Sequence, residues 1–169
     1  AASDVYKRQG FAGTAGEAGH MIVQPGGRSC PCGNHGCLEQ YISEPAVLSR
    51  YQELSGRTTV SIDDLVWSYN QKEADALAVV DEFTTYLACG INNLWNLFSP
   101  ECIILNSQLT AYLPQLLPEI LQKLSARFRA TCQLKLSTLQ DTGVLLGAAR
   151  VCISNYLGIE KLYFSGFQP

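Results

Sequence analysis

Apolar side chains in residues 73–98 recur every three or four positions: Leu77, Val80, Phe83, Leu87, Ile91, Leu94 and Phe98. That spacing predicts one long helix with a wide apolar stripe, and Ser99-Pro100 stops it. The same period, carried by Leu38, Tyr41, Ile42, Val47, Leu48 and Tyr51, predicts helix over 38–56, interrupted at Pro45 and ended by Gly56. Ser61 ahead of Ile62-Asp63-Asp64 has the signature of an N-cap with an acidic first turn, so 61–69 is a short helix. Residues 118–130, with Ile120, Leu121, Leu124 and Phe128 on one side, form another, and Pro118 is tolerable near its start. A closing helix rich in small residues covers 143–157.

Three segments leave the helical period. Cys102-Ile103-Ile104-Leu105 is a short β-branched run that predicts a strand buried on both faces. Residues 132–137 alternate Cys132, Leu134 and Leu136 with Gln133, Lys135 and Ser137, a strand with one polar face. Residues 20–24 read as a third short strand, after a loop of small residues over 10–19. Helix, strand, helix, strand, helix is an α/β alternation in which helices cover a sheet.

The chain has 169 residues, about one domain by length and enough for a hydrophobic core. Residues 1–9 lack a start methionine and any periodicity; they stay unassigned, a candidate for foreign sequence, and 10–169 is taken as the domain. The net charge is -3 with no run of Lys or Arg, so nothing here offers an electrostatic footprint for DNA or RNA. No apolar stretch has membrane-spanning length and no signal peptide opens the chain, so a cytoplasmic protein without membrane partners is expected. Of the seven cysteines, Cys89, Cys102, Cys132 and Cys152 stand singly among apolar neighbours and read as small core residues.

The other three cysteines carry chemistry. Cys30, Cys32 and Cys37 sit in a Gly/Pro loop over 25–36 and its edge, with His20 upstream. Three thiolates and an imidazole are a donor set for tetrahedral zinc, and so His20, Cys30, Cys32 and Cys37 are the expected ligands of Zn2+. His35, inside the Cys32-to-Cys37 loop, would strain the turn to reach the same ion and reads as exposed. Glu17, among Gly13, Ala15, Gly16, Ala18 and Gly19, and Glu39, next to a ligand at a helix start, bracket the cluster. Carboxylates placed so accept hydrogen bonds from paired hydroxyls, the usual polar handle on a sugar.

The run Gly13-Thr14-Ala15-Gly16-Glu17-Ala18-Gly19-His20, followed by Cys30-Pro31-Cys32-Gly33-Asn34-His35-Gly36-Cys37-Leu38-Glu39, closely resembles the ROK family of sugar-responsive repressors and sugar kinases. The resemblance covers residues 10 to about 158. It implies the C-terminal portion of an actin-like, ribonuclease-H-like sugar kinase fold with a zinc-binding loop. It implies sugar contacts from Glu17, His20 and Glu39, with His20 joining metal and ligand through its two ring nitrogens. A homo-oligomer is the expected state.

A kinase of this family also needs a general-base aspartate and glycine-rich phosphate turns. The base and the first such turn belong to the family's N-terminal half, which this chain lacks. Where the family's kinases continue the strand at Cys102 into a Gly-Gly turn, this sequence has Asn106-Ser107-Gln108, whose side chains crowd a nucleotide. Gly143 with Gly147-Ala148-Ala149 still resembles the adenosine-side element, although helix packing through small residues explains it equally. The resemblance therefore implies first the effector part of a sugar-responsive repressor, xylose- or glucose-repressor-like, acting on DNA only through an N-terminal winged helix-turn-helix missing from this chain. The second reading is a fragment of an ATP-dependent hexose kinase, and the third a zinc-stabilised interaction module without a sugar site.

Overall fold

A computed structural model describes residues 16–139 and 142–158 of the chain. The chain divides into two compact units, residues 17–136 and the flanking residues 1–16 with 137–169. The expectations for residues 1–9 and for most of the 10–19 loop lie outside the described residues.

The first unit is built on one long helix. We label its helices α1 (Glu39–Ile42), α2 (Glu44–Ser55), α3 (Ile62–Asn70), α4 (Ala74–Phe98), α5 (Gln108–Tyr112), α6 (Leu116–Lys123) and α7 (Ala126–Thr131), and its strands β1 (Cys102–Leu105) and β2 (Gln133–Leu136). Helices α1, α2, α3 and α6 all pack on α4. Because α4 is covered from several sides, its buried set is wider than the predicted stripe: Ala76, Val79, Val80, Phe83, Thr84, Leu87, Ala88, Gly90, Ile91 and Trp95. Leu77 and Phe98, read as stripe members, are exposed instead. Phe128 of α7 meets Trp95 edge-on, with ring centroids 5.9 Å apart.

Serines set the helix boundaries that periodicity blurs. The predicted 38–56 helix is two helices, because the Ser43 side chain accepts the Ala46 N–H and starts α2, with Pro45 in its first turn. The predicted 118–130 helix is also two, since Ser125 accepts the Phe128 N–H and begins α7. Ser61 and Asp64 form the reciprocal capping box that opens α3. Helix α5 has only five residues, too few for a periodic signal, and the pattern does not predict it.

Strands β1 and β2 pair in parallel, Cys102 opposite Gln133 through Leu105 opposite Leu136. Strand β1 is not buried on both faces. Ile103 and Leu105 pack against the core, while Ile104 is 65% exposed, because among the described residues its sheet is this single pair. Strand β2 has the expected polar face, with Leu134 buried between exposed Gln133 and Lys135. The scattered cysteines are not uniformly core: Cys132 is buried and Cys89 half-buried, but Cys102 and Cys152 are exposed.

The second unit contributes helix α8 (Thr142–Leu157). No helix among the described residues is long and apolar enough to cross a membrane.

One buried polar contact fastens α2 to α3. Tyr51 and Ser68 are each fully buried, and the Tyr51 hydroxyl donates to Ser68 Oγ at 2.7 Å. Tyr51→Phe leaves the Ser68 hydroxyl without this donor, and urea unfolding should show a loss of about 1–3 kcal/mol.

Candidate functional site

The loop that bears the cysteines folds by backbone hydrogen bonds rather than by an apolar core. Residues 20–24 do not form the expected strand. Ala18–His20 is one 3-10 turn, and the extended backbone is reduced to isolated bridges between Ile22 and Cys37 and between Ser29 and His35. Small glycines and donors to loop carbonyls take the place of a ladder. Val23 and Gln24 N–H groups both reach Gly36 O, Leu38 N–H reaches Met21 O at 2.8 Å, and Cys30 N–H reaches Asn34 O at 2.9 Å. Gly36 has φ +81°, and a Cβ there would lie 1.6 Å from the Gln24 carbonyl oxygen. Only glycine closes this turn.

That closure gathers four donors. One ligand atom from each of His20, Cys30, Cys32 and Cys37 lies within 4.8 Å of the others. Cys32 and Cys37 sulfurs are 3.6 Å apart, and His20 Nδ1 is 3.5 Å from Cys30 Sγ. Tetrahedral zinc with bonds of about 2.3 Å to sulfur and 2.0–2.1 Å to nitrogen requires edges of about 3.5–3.8 Å. The Cys32–Cys37 and His20–Cys30 pairs have that spacing, and the whole donor set, spread over at most 4.8 Å, would contract slightly around an ion. Cys30 and Cys37 are buried and Cys32 exposed. The thiols differ accordingly. Burial pushes Cys37 up to about 12, whereas the Asn34 backbone N–H and then Cys30 bring Cys32 down to about 7. Three thiolates this close repel one another, and a divalent cation is the charge that would let all three ionise. His35 is exposed and outside the group.

Both flanking carboxylates converge on the same imidazole. Glu39 Oε2 is 3.7 Å from His20 Nδ1, and Glu17 Oε2 is 3.9 Å from Nε2. The carboxylates are largely solvent-facing, with side chains 48% and 61% exposed. Gly19 lies beside Glu39, where an added Cβ would make an ordinary van der Waals contact, 3.5 Å from Glu39 Cβ. Glu39 also lines a cleft of about 370 Å³ with Arg28, Gln40, Ser43, Arg50 and Glu53. Glu17 and His20 do not line it.

Hydrophobic patterning finds Leu38 and Tyr41 but misses Arg28 and the α4 positions to which these residues fasten the loop. Arg28 Nη2 pairs with Glu82, its Nη1 donates to Gln40 O at 2.8 Å, its backbone N–H donates to the Tyr41 hydroxyl, and its guanidinium lies 4.6 Å from the Tyr41 ring centroid. Tyr41 stacks on Tyr86 at 3.9 Å. Leu38 seats against Gly90, where a Cβ would come within 2.5 Å of it. Glu82, Tyr86 and Gly90 are spaced by four, one stripe of the helix. The stripe is charged, aromatic and small in turn, so no apolar period could reveal it.

The sequence matches the ROK family over residues 3–154. The chain belongs to the ROK family. This ROK chain is 32% identical over 158 residues to the xylose repressor of Bacillus spizizenii, covering 91% of the chain and 41% of that protein. It therefore spans about two fifths of the length of the curated repressors it matches. It superposes on the ROK hexokinase of Thermus thermophilus with a TM-score of 0.70, at 25% identity and over 87% of this chain and 51% of that one. A ROK family transcriptional regulator, a homologue of the E. coli MLC protein, matches with a TM-score of 0.64 at 28% identity, over 84% of this chain and 39% of the regulator. The fold is thus shared with sugar kinases and with regulators alike.

Gly36→Ala places a methyl group on a backbone carbonyl at a positive φ. It should destabilise the loop by more than about 2 kcal/mol, read as a lowered unfolding midpoint.

Proposed function

We propose that this chain is the sugar-sensing part of a ROK transcriptional repressor of carbohydrate metabolism. The observation that carries the ligand class is the approach of Glu17 and Glu39 to one imidazole whose other neighbours are thiols. In this reading Zn2+ is held by His20, Cys30, Cys32 and Cys37, and it supplies charge neutralisation and a fixed loop, not chemistry on the ligand. On the same reading His20 turns Nδ1 to Cys30, with Glu39 on the same side, and leaves Nε2 beside Glu17, where a sugar hydroxyl would be shared between the imidazole and the Glu17 carboxylate. Glu39 supplies the second acceptor for a hydroxyl pair.

Sensing is preferred to phosphorylation because of the turn after β1. Ser107 is extended, with φ −142° and ψ 135°, and its carbonyl accepts the Ala111 N–H as α5 begins. No residue from 106 to 108 has a positive φ, so the turn lacks the left-handed glycine geometry that lets a phosphate approach the backbone. The similarity to repressors over 91% of the chain supports the same reading. Sugar would act by binding one of two states of a longer, homo-oligomeric protein more tightly, with DNA contacted by a helix-turn-helix outside this sequence. The second reading is an ATP-dependent sugar kinase, favoured by the likeness to the Thermus hexokinase.

Elemental analysis of the reduced full-length protein should find one zinc per chain, and Cys37→Ser should lose it; wild type without zinc removes the metal from this reading. Glu17→Ala in the full-length protein should weaken sugar binding at least ten-fold by calorimetry against xylose, glucose, allose and N-acetyl sugars, with the fold retained. Unchanged affinity refutes the role of Glu17, and sugar phosphate formed from ATP by the same protein replaces the repressor with the kinase.

A further inference from the structure

Helix α1 is a single turn whose first three residues face three different partners. Glu39 approaches His20, Gln40 Nε2 lies 3.6 Å from Cys30 Sγ, and the Tyr41 hydroxyl accepts the Arg28 N–H at 3.0 Å. The middle contact concerns a sulfur with little access to water, since Cys30 is only 4% exposed. A divalent zinc with three thiolates and a neutral imidazole carries one net negative charge, and Glu17 and Glu39 add to it nearby. A buried thiolate in that field needs an N–H donor to draw charge from the sulfur and to fix the ligand's direction.

Gln40 supplies that donor and is itself held in place. Its backbone carbonyl, which the one-turn helix leaves without an intrahelical partner, accepts Arg28 Nη1, and Arg28 is paired with Glu82 on α4. A chain of contacts therefore runs from Glu82 through Arg28 and Gln40 to Cys30. Charge, aromatic stacking and the Gly90 notch would hold the loop without the Gln40 side chain. Its amide is directed at the sulfur and not at the packing.

We propose that Gln40 is a positioning residue for the metal, its side-chain amide donating to the Cys30 thiolate. The inference rests on the reading of His20, Cys30, Cys32 and Cys37 as a metal site, and its test separates the two. Gln40→Met keeps the side-chain length and removes the donor; Gln40→Glu keeps the shape and places an acceptor against the sulfur. In the full-length protein, zinc affinity measured by competition with a chromophoric chelator should fall about ten-fold in Gln40→Met and further in Gln40→Glu. The Co2+-loaded variants should show a shifted sulfur-to-cobalt charge-transfer band, a signature that a purely structural role would not move. A Gln40→Met protein with wild-type zinc affinity and an unshifted band overturns the proposal and leaves the metal site standing. Wild type that takes up neither metal overturns both. If Gln40→Met does not fold, Gln40→Glu supplies both readouts, and wild-type values there overturn the proposal equally.

Discussion

The cysteine loop has no core of its own, and everything proposed for the site depends on how it is fastened to α4. The fastening is the stripe Glu82, Tyr86 and Gly90, met by Arg28, Tyr41 and Leu38. Burial of Leu38 alone is worth about 1.5–3 kcal/mol, and the notch at Gly90 is what allows that burial. Arg28 and Glu82 are both partly shielded from solvent, so their pair is weakened by salt less than an exposed one would be. The loop's own backbone hydrogen bonds gather the four donors, and these contacts fix where on α4 the gathered donors sit.

The fold then explains why the Cys/His cluster and a pair of carboxylates share one short segment. The 3-10 turn presents His20, the glycine turn at Gly36 brings Cys37 back beside Ile22, and α1 starts immediately afterwards with Glu39. Chain economy thus places a thiol of the Cys/His cluster, Cys37, and a solvent-facing carboxylate, Glu39, two residues apart. The His20 imidazole touches both sides of this arrangement, with Cys30 Sγ and Glu39 near Nδ1 and Glu17 near Nε2.

Much of this is legible in the residues, for identifiable reasons. The long helix, both strands of the parallel pair and the cap at Ser61 declare themselves through period and short-range chemistry. The His20, Cys30, Cys32, Cys37 quartet is legible because thiols are rare in surface loops and their spacing is local. Ser43 and Ser125 are not, because a serine inside a helical period looks like a solvated position until its hydroxyl is seen to accept a backbone N–H. Arg28 and Glu82 are 54 residues apart, and no one-dimensional pattern joins them. The full burial expected of β1 fails because a strand's composition reports what could cover it, while Ile104 reports what does.

The three contacts along α4 are unlike in kind, and that has a consequence for robustness. Ionic strength acts on the first, loss of an aromatic ring on the second, and added volume on the third, so no one perturbation reaches all of them. Spread over two turns of a rigid rod, they also fix both the height and the rotation of the loop about the helix axis. The attachment is redundant in energy yet exacting in direction. A site fastened in this way can drift in sequence at one contact while the other two keep its geometry.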